Sequence, residues 1–401
     1  MPSTASAAPS HVSTDTRTLH VMRDLLPEFA AWRGKGERFA IARVVDIEGS
    51  GPREPGAAMA VSASGQVIGS VSGGCVEGAV VSEALAILAG EAQPRVVTFG
   101  YSDDEAFAVG LTCGGTIHLF IQPADHLVDT NNGPAALDIL DAHIRSHEPI
   151  AIATVIDGPQ TGRTLVVSPD ESPVGTLGNA ELDRIVVRDA LGELEAGTTG
   201  IRHYGPEGQT TPEDLVDAPT VKVFVESFAP APQMWIFGAV DFTAALARVA
   251  KILGYRVTVC DAREIFATRR RFPMADNVVV SWPGDLFRAE GKNLGPRDAV
   301  CILTHDAKFD VPAVQGALAT RVGYIGVMGS RKTHTKRLER LAEAGVNNPT
   351  DLARLMSPVG LDLGARTPEE TAISICAEII ARRTGRNAPS LRDSSGPIHT
   401  N

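Results

Sequence analysis

The chain of 401 residues lacks any apolar run of the roughly 18–20 residues that a membrane-spanning helix requires, so its pattern offers no spanning segment. It lacks basic excess as well: 37 Lys and Arg stand against 48 Asp and Glu, a net charge of -11, which argues against a phosphate-backbone partner such as DNA or RNA. Cysteine is sparse, and the five (Cys75, Cys113, Cys260, Cys301 and Cys376) form no CxxC pair. An odd count without paired spacing excludes a disulfide framework and a zinc ribbon, and fits a reducing compartment. Residues 1–17 carry no early basic residue followed by an apolar stretch, so they read as a flexible tail, and the expected location is cytoplasmic.

What is present is globular composition, 43% hydrophobic and 21% charged, with 39 Gly and 26 Pro for tight loops. The length calls for two or three domains. An internal repeat organises the first half. Ala40-Ile-Ala-Arg-Val-Val-Asp46 returns as Ala151-Ile-Ala-Thr-Val-Ile-Asp157, and Gly69–Leu85 aligns without gaps on Gly175–Leu191 at a constant offset of 106 (191 − 85). Thr116–Phe120 then matches Thr220–Phe224. Each copy reads strand, strand, glycine loop, helix, later strand, with the helices expected at Val76–Leu88 and Ala180–Leu191 from their period of 3.6. The expected organisation is a tail over 1–17, a pseudo-duplicated α+β domain over 18–230 (copies at about 39–122 and 150–228), a Rossmann-like doubly wound α/β domain over 234–383, and a second tail over 384–401.

The repeat serves as an internal control. Cys75, in Ser70-Val-Ser-Gly-Gly-Cys-Val-Glu-Gly78, stands where a glycine loop feeds a helix, and its counterpart is Glu181; Cys113, in Gly110-Leu-Thr-Cys-Gly-Gly115, is matched by Asp217. Neither thiol is demanded by the scaffold. A cysteine at a helix N-terminus sees unpaired N–H groups and the positive end of the helix dipole, which favour thiolate and anion binding. Two readings stay open, a soft-ligand cleft lined by Gly73, Gly74, Cys75, Glu77, Cys113 and Gly114, or small buried fillers. Arg53 is the basic residue of the stiff loop Ser50-Gly-Pro-Arg-Glu-Pro-Gly56, suited to a phosphate or carboxylate or simply solvated. Cys260, Cys301 and Cys376 lie in apolar patterns and read as core.

In the second half, Trp235-Ile-Phe237, the loop Gly238-Ala-Val-Asp241, a helix to Leu253 and the strand Tyr255–Cys260 follow Rossmann order. Asp261, 23 residues past Gly238, is placed for a ribose hydroxyl, with Arg263 beside it. The glycine fingerprint is altered, because Val240 and Thr243 take the second and third glycine places and Asp241 adds charge near a phosphate, so NAD(P) is disfavoured. Further strands are expected at Asn277–Ser281, Ala299–Thr304 and Gly323–Gly326. His305 and Asp306 follow one of them, either facing the crevice or capping the next helix; Gly329-Ser330-Arg331 opens a basic helix that suits an anion. Thr367-Pro-Glu-Glu370 is a capping-box signature.

Several long motifs, in order, resemble the XdhC/CoxI family, which assists maturation of xanthine-dehydrogenase-type and carbon-monoxide-dehydrogenase-type molybdenum hydroxylases. They are Gly51-Pro-Arg-Glu-Pro-Gly56, Gly69–Gly78, Gly110–Gly115, Leu303-Thr-His-Asp306, Tyr324–Arg331 and Gly360–Glu370. The family's usual loop resembles Gly-Ala-Gly-His, so Val240 and Asp241 are departures. The resemblance implies a maturation chaperone more than a catalyst. Such a chaperone binds the molybdenum cofactor (molybdopterin), with Cys75 as a possible molybdenum contact, and protects it during sulfuration by a cysteine desulfurase or sulfurtransferase. It then hands the cofactor to an apo molybdenum hydroxylase, and a homodimer is expected. The competing classes are an NAD(P)-dependent oxidoreductase, with His305 as proton donor and Asp261 on the ribose, and a nucleotide-binding regulatory module. Among catalytic candidates Cys75, Cys113 and His305 stand foremost.

Overall fold

A computed structural model describes residues 21–49, 53–100, 115–128, 135–205, 208–209, 220–304 and 306–394. After helix α1 (Leu26–Gly34) come β1 (Phe39–Glu48), β2 (Ala58–Ser62), β3 (Val67–Gly69), α2 (Glu77–Leu88), β4 (Arg95–Gly100) and β5 (Thr116–Pro123). Helix α3 (Ala136–Ser146) leads to β6 (Ile150–Asp157), β7 (Thr164–Val167), β8 (Val174–Gly175), α4 (Ala180–Ala196), β9 (Gly200–Tyr204) and β10 (Val221–Phe228). The strands form two antiparallel sheets of the same topology, β3-β2-β1-β5-β4 and β8-β7-β6-β10-β9. Even the irregularities recur: the β1/β5 register slips between Val44 and Asp46, and the β6/β10 register slips between Lys222 and Val223, opposite Val155–Asp157. Both helices fall where the 3.6 period places them, α2 one residue later than expected and α4 more than a turn longer.

Period-two alternation decides what each central strand buries. Ala40, Ala42 and Val44 pack on Val80, Ala84 and Ile87 of α2, and Ala151, Ala153 and Val155 pack on Leu182, Val186 and Ala190 of α4. The opposite faces meet each other. Ile41 and Ile152 share one cluster with Phe29 and Trp32, and Val45, Ile156, Phe120 and Phe224, two pairs of repeat-equivalent residues, make another. Between the sheets Arg43 forms a buried ion pair with Glu226, and its guanidinium lies 5.7 Å from the Phe120 ring and 5.8 Å from the Phe224 ring. Arg43 and Glu226 come from different copies, and their equivalents, Thr154 and Gln122, are uncharged but equally buried. Burial pushes the Glu226 carboxyl up, while Arg43 pulls it down.

The remaining chain is a doubly wound domain: β11 (Gln233–Phe237), α5 (Asp241–Ile252), β12 (Arg256–Asp261), β13 (Asn277–Val280), α6 (Pro283–Glu290), β14 (Ala299–Ile302), α7 (Ala307–Leu318), β15 (Tyr324–Val327), α8 (Arg331–Glu343), β16 (Leu355–Met356) and α9 (Pro368–Arg383). Its six strands are parallel in the order β13-β12-β11-β14-β15-β16. This is the Rossmann order with its switch point beside β11. Leu246 and Ala250 of α5 and Ile375 and Ile379 of α9 cover one face; Leu286, Val314 and Leu341 from α6, α7 and α8 cover the other. The expected capping box forms: Thr367 accepts from the Glu370 N–H, and the Glu370 carboxylate accepts from the Thr367 N–H. The linker is held by Arg297, which donates to the Pro230 carbonyl (3.0 Å), and by Asp298, which accepts from the Gln233 N–H (2.6 Å).

Candidate functional site

In the first sheet, antiparallel pairing carries three loops to one end. Glu48 pairs with Thr116, Gly100 pairs with Thr116, and Met59 pairs with Gly69, so the segment after β1, the segment after β3 and the ends that flank residues 101–115 all lie at that edge. Arg53 and Cys75 are therefore delivered to the same end of the fold. Arg53 is partly buried, and its Nε has no hydrogen-bond partner among the described residues. Cys113, Gly114 and His305, all sequence-derived candidates, lie outside the described residues.

The loop 70–76 begins with a forced glycine. Gly69 has φ +74°, and a Cβ there would stand 2.3 Å from the Ala58 carbonyl oxygen; Gly175 repeats this with φ +96° and 2.3 Å to the Thr164 oxygen. Beyond Gly69, Glu77 folds its carboxylate back over the turn. It accepts from Ser70 Oγ (2.7 Å), the Ser72 N–H (2.9 Å), Ser72 Oγ, the Gly73 N–H (3.1 Å) and the Gly74 N–H (2.9 Å). Ser72 Oγ in turn accepts from the N–H groups of Cys75 (3.0 Å) and Val76 (3.1 Å). Burial alone would raise the Glu77 pKa, but the Ser72 and Ser70 hydroxyls and the backbone donors bring it down to about 2.

In the loop before α2 the expectation of open N–H groups is corrected: those of Ser72, Gly73, Gly74, Cys75 and Val76 are taken by Glu77 and Ser72, so an anion binding there would have to displace a carboxylate. Glu77 is thereby a positioning residue. Gly73 (φ +82°) and Gly74 (φ +121°) are exposed, with nothing within 4 Å of where a Cβ would stand, and Cys75 is half-buried two residues before the first helical residue. A thiol is thus presented on a fastened turn beside open space. A partly buried cysteine beside two exposed glycines offers a ligand type that suits a soft, thiol-preferring metal centre carried by an organic cofactor. By contrast Cys260, Cys301 and Cys376 are buried, as their patterns imply, and burial raises each thiol pKa.

The nucleotide loop is closed from within. Asp261, only 6% exposed, does not face a ribose: it accepts from the Ala239 N–H (2.7 Å) and from Arg263 Nε (2.9 Å) and Nη2 (2.7 Å). Burial works against the Asp261 charge, but Arg263 and the Ala239 N–H outweigh it and lower the pKa. Arg271 donates to the Ala239 carbonyl (3.1 Å) and stands 3.7 Å from Asp241. Gly238 (φ +112°) approaches Thr304, where a Cβ would meet the amide nitrogen at 3.0 Å, so this glycine serves strand packing. With Ala239 N–H occupied and Asp241 at the loop, the residues do not fit a dinucleotide in the standard pose. Asp306 takes the capping alternative and accepts from the Lys308 N–H (3.0 Å). Ser330 likewise caps α8 by accepting from the Thr333 N–H (3.2 Å); Gly329 has φ +143°, and Arg331 is exposed.

Sequence reasoning missed two elements here, the carboxylate latch of Glu77 and the Asp261–Arg263 pair. The first was legible, since Ser70/Thr176 and Glu77/Asp183 recur at the repeat offset of 106 (176 − 70, 183 − 77). Two clefts of about 200 and 570 Å³ flank the linker at 229–232, lined by Arg297 among others and by none of the sequence-derived candidates. Among the described residues no helix is long and apolar enough to cross a membrane.

The fold and site together define a two-part α/β protein, a duplicated antiparallel sandwich bearing a glycine-loop thiol, followed by a Rossmann-like domain with a closed nucleotide loop. The chain belongs to the XdhC and CoxI family: that family's profile matches residues 32–100 and 143–205, one segment on each copy, and the XdhC Rossmann domain profile matches 234–379. Among curated relatives it is similar to a probable xanthine dehydrogenase subunit of Bacillus subtilis, 28% identical over 91% of this chain and 97% of that one. It is also similar to the molybdenum cofactor insertion chaperone PaoD of Escherichia coli, 26% identical over 88% and 86%. A solved structure described as a xanthine dehydrogenase from Bacillus halodurans shares the fold, with a TM-score of 0.62 at 24% identity over 91% of this chain and 97% of that one.

Proposed function

We propose that this protein is a molybdenum cofactor chaperone of the cytoplasm: it holds the cofactor while a sulfurtransferase installs its sulfido ligand, and passes it to an apo hydroxylase of the xanthine, carbon monoxide or aldehyde dehydrogenase type. The observation that carries this reading is the Cys75 thiol, half-buried on a turn fastened by Glu77 beside two open glycines. The similarity to an insertion chaperone supports it.

When bound, the cofactor supplies a soft metal centre and an anionic phosphate. Cys75 offers the matching soft ligand, and Arg53, with a buried Nε to satisfy, offers a cation at the same sheet edge. Glu77 keeps the thiol in place by occupying the backbone donors that a mobile glycine loop would otherwise leave to water. The loop at Gly238–Asp241 disfavours the oxidoreductase alternative, because Val240 stands where a glycine would admit the pyrophosphate, Asp241 adds negative charge there, and Asp261 is already bonded to the Ala239 N–H and Arg263.

Purification from a molybdenum-replete host, with molybdenum and pterin fluorescence measured on the wild type and on Cys75→Ala, tests the reading. Wild type carrying both and the variant carrying neither is the expected result. Absence of pterin from both, together with micromolar NAD(P) binding by the wild type, would overturn it.

A further inference from the structure

The carboxyl edge of the parallel sheet carries a second feature unrelated to Cys75. Of the three tryptophans, Trp32 and Trp235 are 5% and 1% exposed, but Trp282, two residues after β13, is 48% exposed. Its ring is not loose. It stacks on Phe309, in the first turn of α7, with centroids 4.6 Å apart and planes 17° from parallel. The stack on Phe309 holds a half-exposed aromatic ring in one orientation, which suits it to receive a second flat ring.

Cations stand at the same edge. Arg263, two residues after β12, is oriented by two hydrogen bonds to Asp261 and stacks over Phe266 at 4.7 Å, yet its side chain remains 46% exposed. Asp261 pairs with Val280 across the two strands, and the Ser281 N–H donates to the Asp261 carbonyl (3.3 Å), so Arg263 and Trp282 leave adjacent strand ends. Arg271 lies over the same Phe266 ring at 5.4 Å. An aspartate in the ribose-binding position has thus become the support of an outward-facing guanidinium.

We infer that this shelf binds a phosphorylated fused-ring heterocycle, a purine or pterin monophosphate, with the ring on Trp282 and the phosphate toward Arg263 and Arg271. Val240 in place of the second glycine and the Asp241 carboxylate disfavour a pyrophosphate at the head of α5, so the ligand is a mononucleotide-sized compound and not a dinucleotide. The site does not rest on the Cys75 reading: if the pterin binds, it deepens that reading, and if the purine binds, it adds a nucleotide function.

Because Trp282 is the exposed tryptophan, its fluorescence reports binding directly. Titration of the full chain with GMP, neopterin monophosphate, unphosphorylated neopterin, and ribose 5-phosphate should give saturable quenching by at least one of the two phosphorylated bicyclic compounds, and the tighter of the two identifies the source. Calorimetry should show about tenfold or greater weakening in Trp282→Ala and near-normal binding in Trp282→Phe, which keeps a stacking face. Arg263→Gln should weaken the phosphorylated ligand and leave the unphosphorylated one unchanged. Absence of saturable quenching by both bicyclic phosphates, equal binding of ribose 5-phosphate, or undiminished affinity in Trp282→Ala would each overturn the assignment.

Discussion

The two copies in the first half share a scaffold and differ at one turn. In copy one Gly69, Ser70 and Glu77 fasten the loop; in copy two Gly175, Thr176 and Asp183 do the same, with Asp183 accepting from Thr176 Oγ1 (2.7 Å) and the Leu177 N–H (2.7 Å). Copy two then caps its helix in the ordinary way, since Asn179 accepts from the N–H groups of Glu181 (2.9 Å) and Leu182 (3.3 Å) and α4 begins at Ala180. Copy one has no side-chain cap at Val76, and α2 begins at Glu77, three positions later than the repeat alignment (77 + 106 = 183, against 180). The residues unwound by that delay are Gly74, Cys75 and Val76. Copy two thus keeps a capped helix start, whereas in copy one the three equivalent positions, Cys75 among them, stand outside the helix.

The largest expected effect breaks what joins the copies. Arg43→Met leaves Glu226 buried without its partner and should cost about 3–5 kcal/mol by chemical denaturation of the full chain, while Arg43→Met with Glu226→Leu should recover most of it. Failure of the double substitution to recover stability would mean that the pair itself, and not only the cost of an unpaired buried carboxylate, stabilises the contact between the sheets.

Next comes the latch. Glu77→Gln should loosen residues 70–76 by about 1–2 kcal/mol in hydrogen exchange, and Asp183→Asn should affect 176–178 by less, since fewer donors converge on it. The folded Glu77 pKa lies below its ordinary value, so its contribution is complete above the ordinary value of 4.5 and fades as pH falls toward about 2. Protection of the loop, corrected for the intrinsic pH dependence of amide exchange, should fall between pH 6 and pH 3 in the wild type and not in Glu77→Gln. The smallest effect belongs to copy two alone: Asn179→Ala should cost about 1 kcal/mol through loss of the cap, with no change at Cys75.

Much of this architecture is readable from the residues. The repeat shows in the constant offset from Gly69 to Leu85, the parallel sheet in short apolar runs alternating with helical periods, and the start of α9 in Thr367-Pro-Glu-Glu370. The site is less legible because its decisive contacts join residues by side-chain direction. Asp261 has the right spacing for a ribose, and only the structure shows that Arg263, two residues on, claims it first. Glu77 looks like a ligand candidate in sequence, whereas its neighbours' N–H groups make it the fastener of the loop. The Arg43–Glu226 pair joins residues 183 apart (226 − 43), beyond any periodicity.

The specialisation of copy one is tested most directly by matched substitutions at equivalent positions. Cys75→Ala and Glu181→Ala, purified side by side from a molybdate-replete host, should differ in molybdenum and pterin per chain: the first near zero, the second equal to wild type. Equal retention in the two variants, or loss in Glu181→Ala alone, would contradict the assignment of cofactor handling to the unwound turn of copy one.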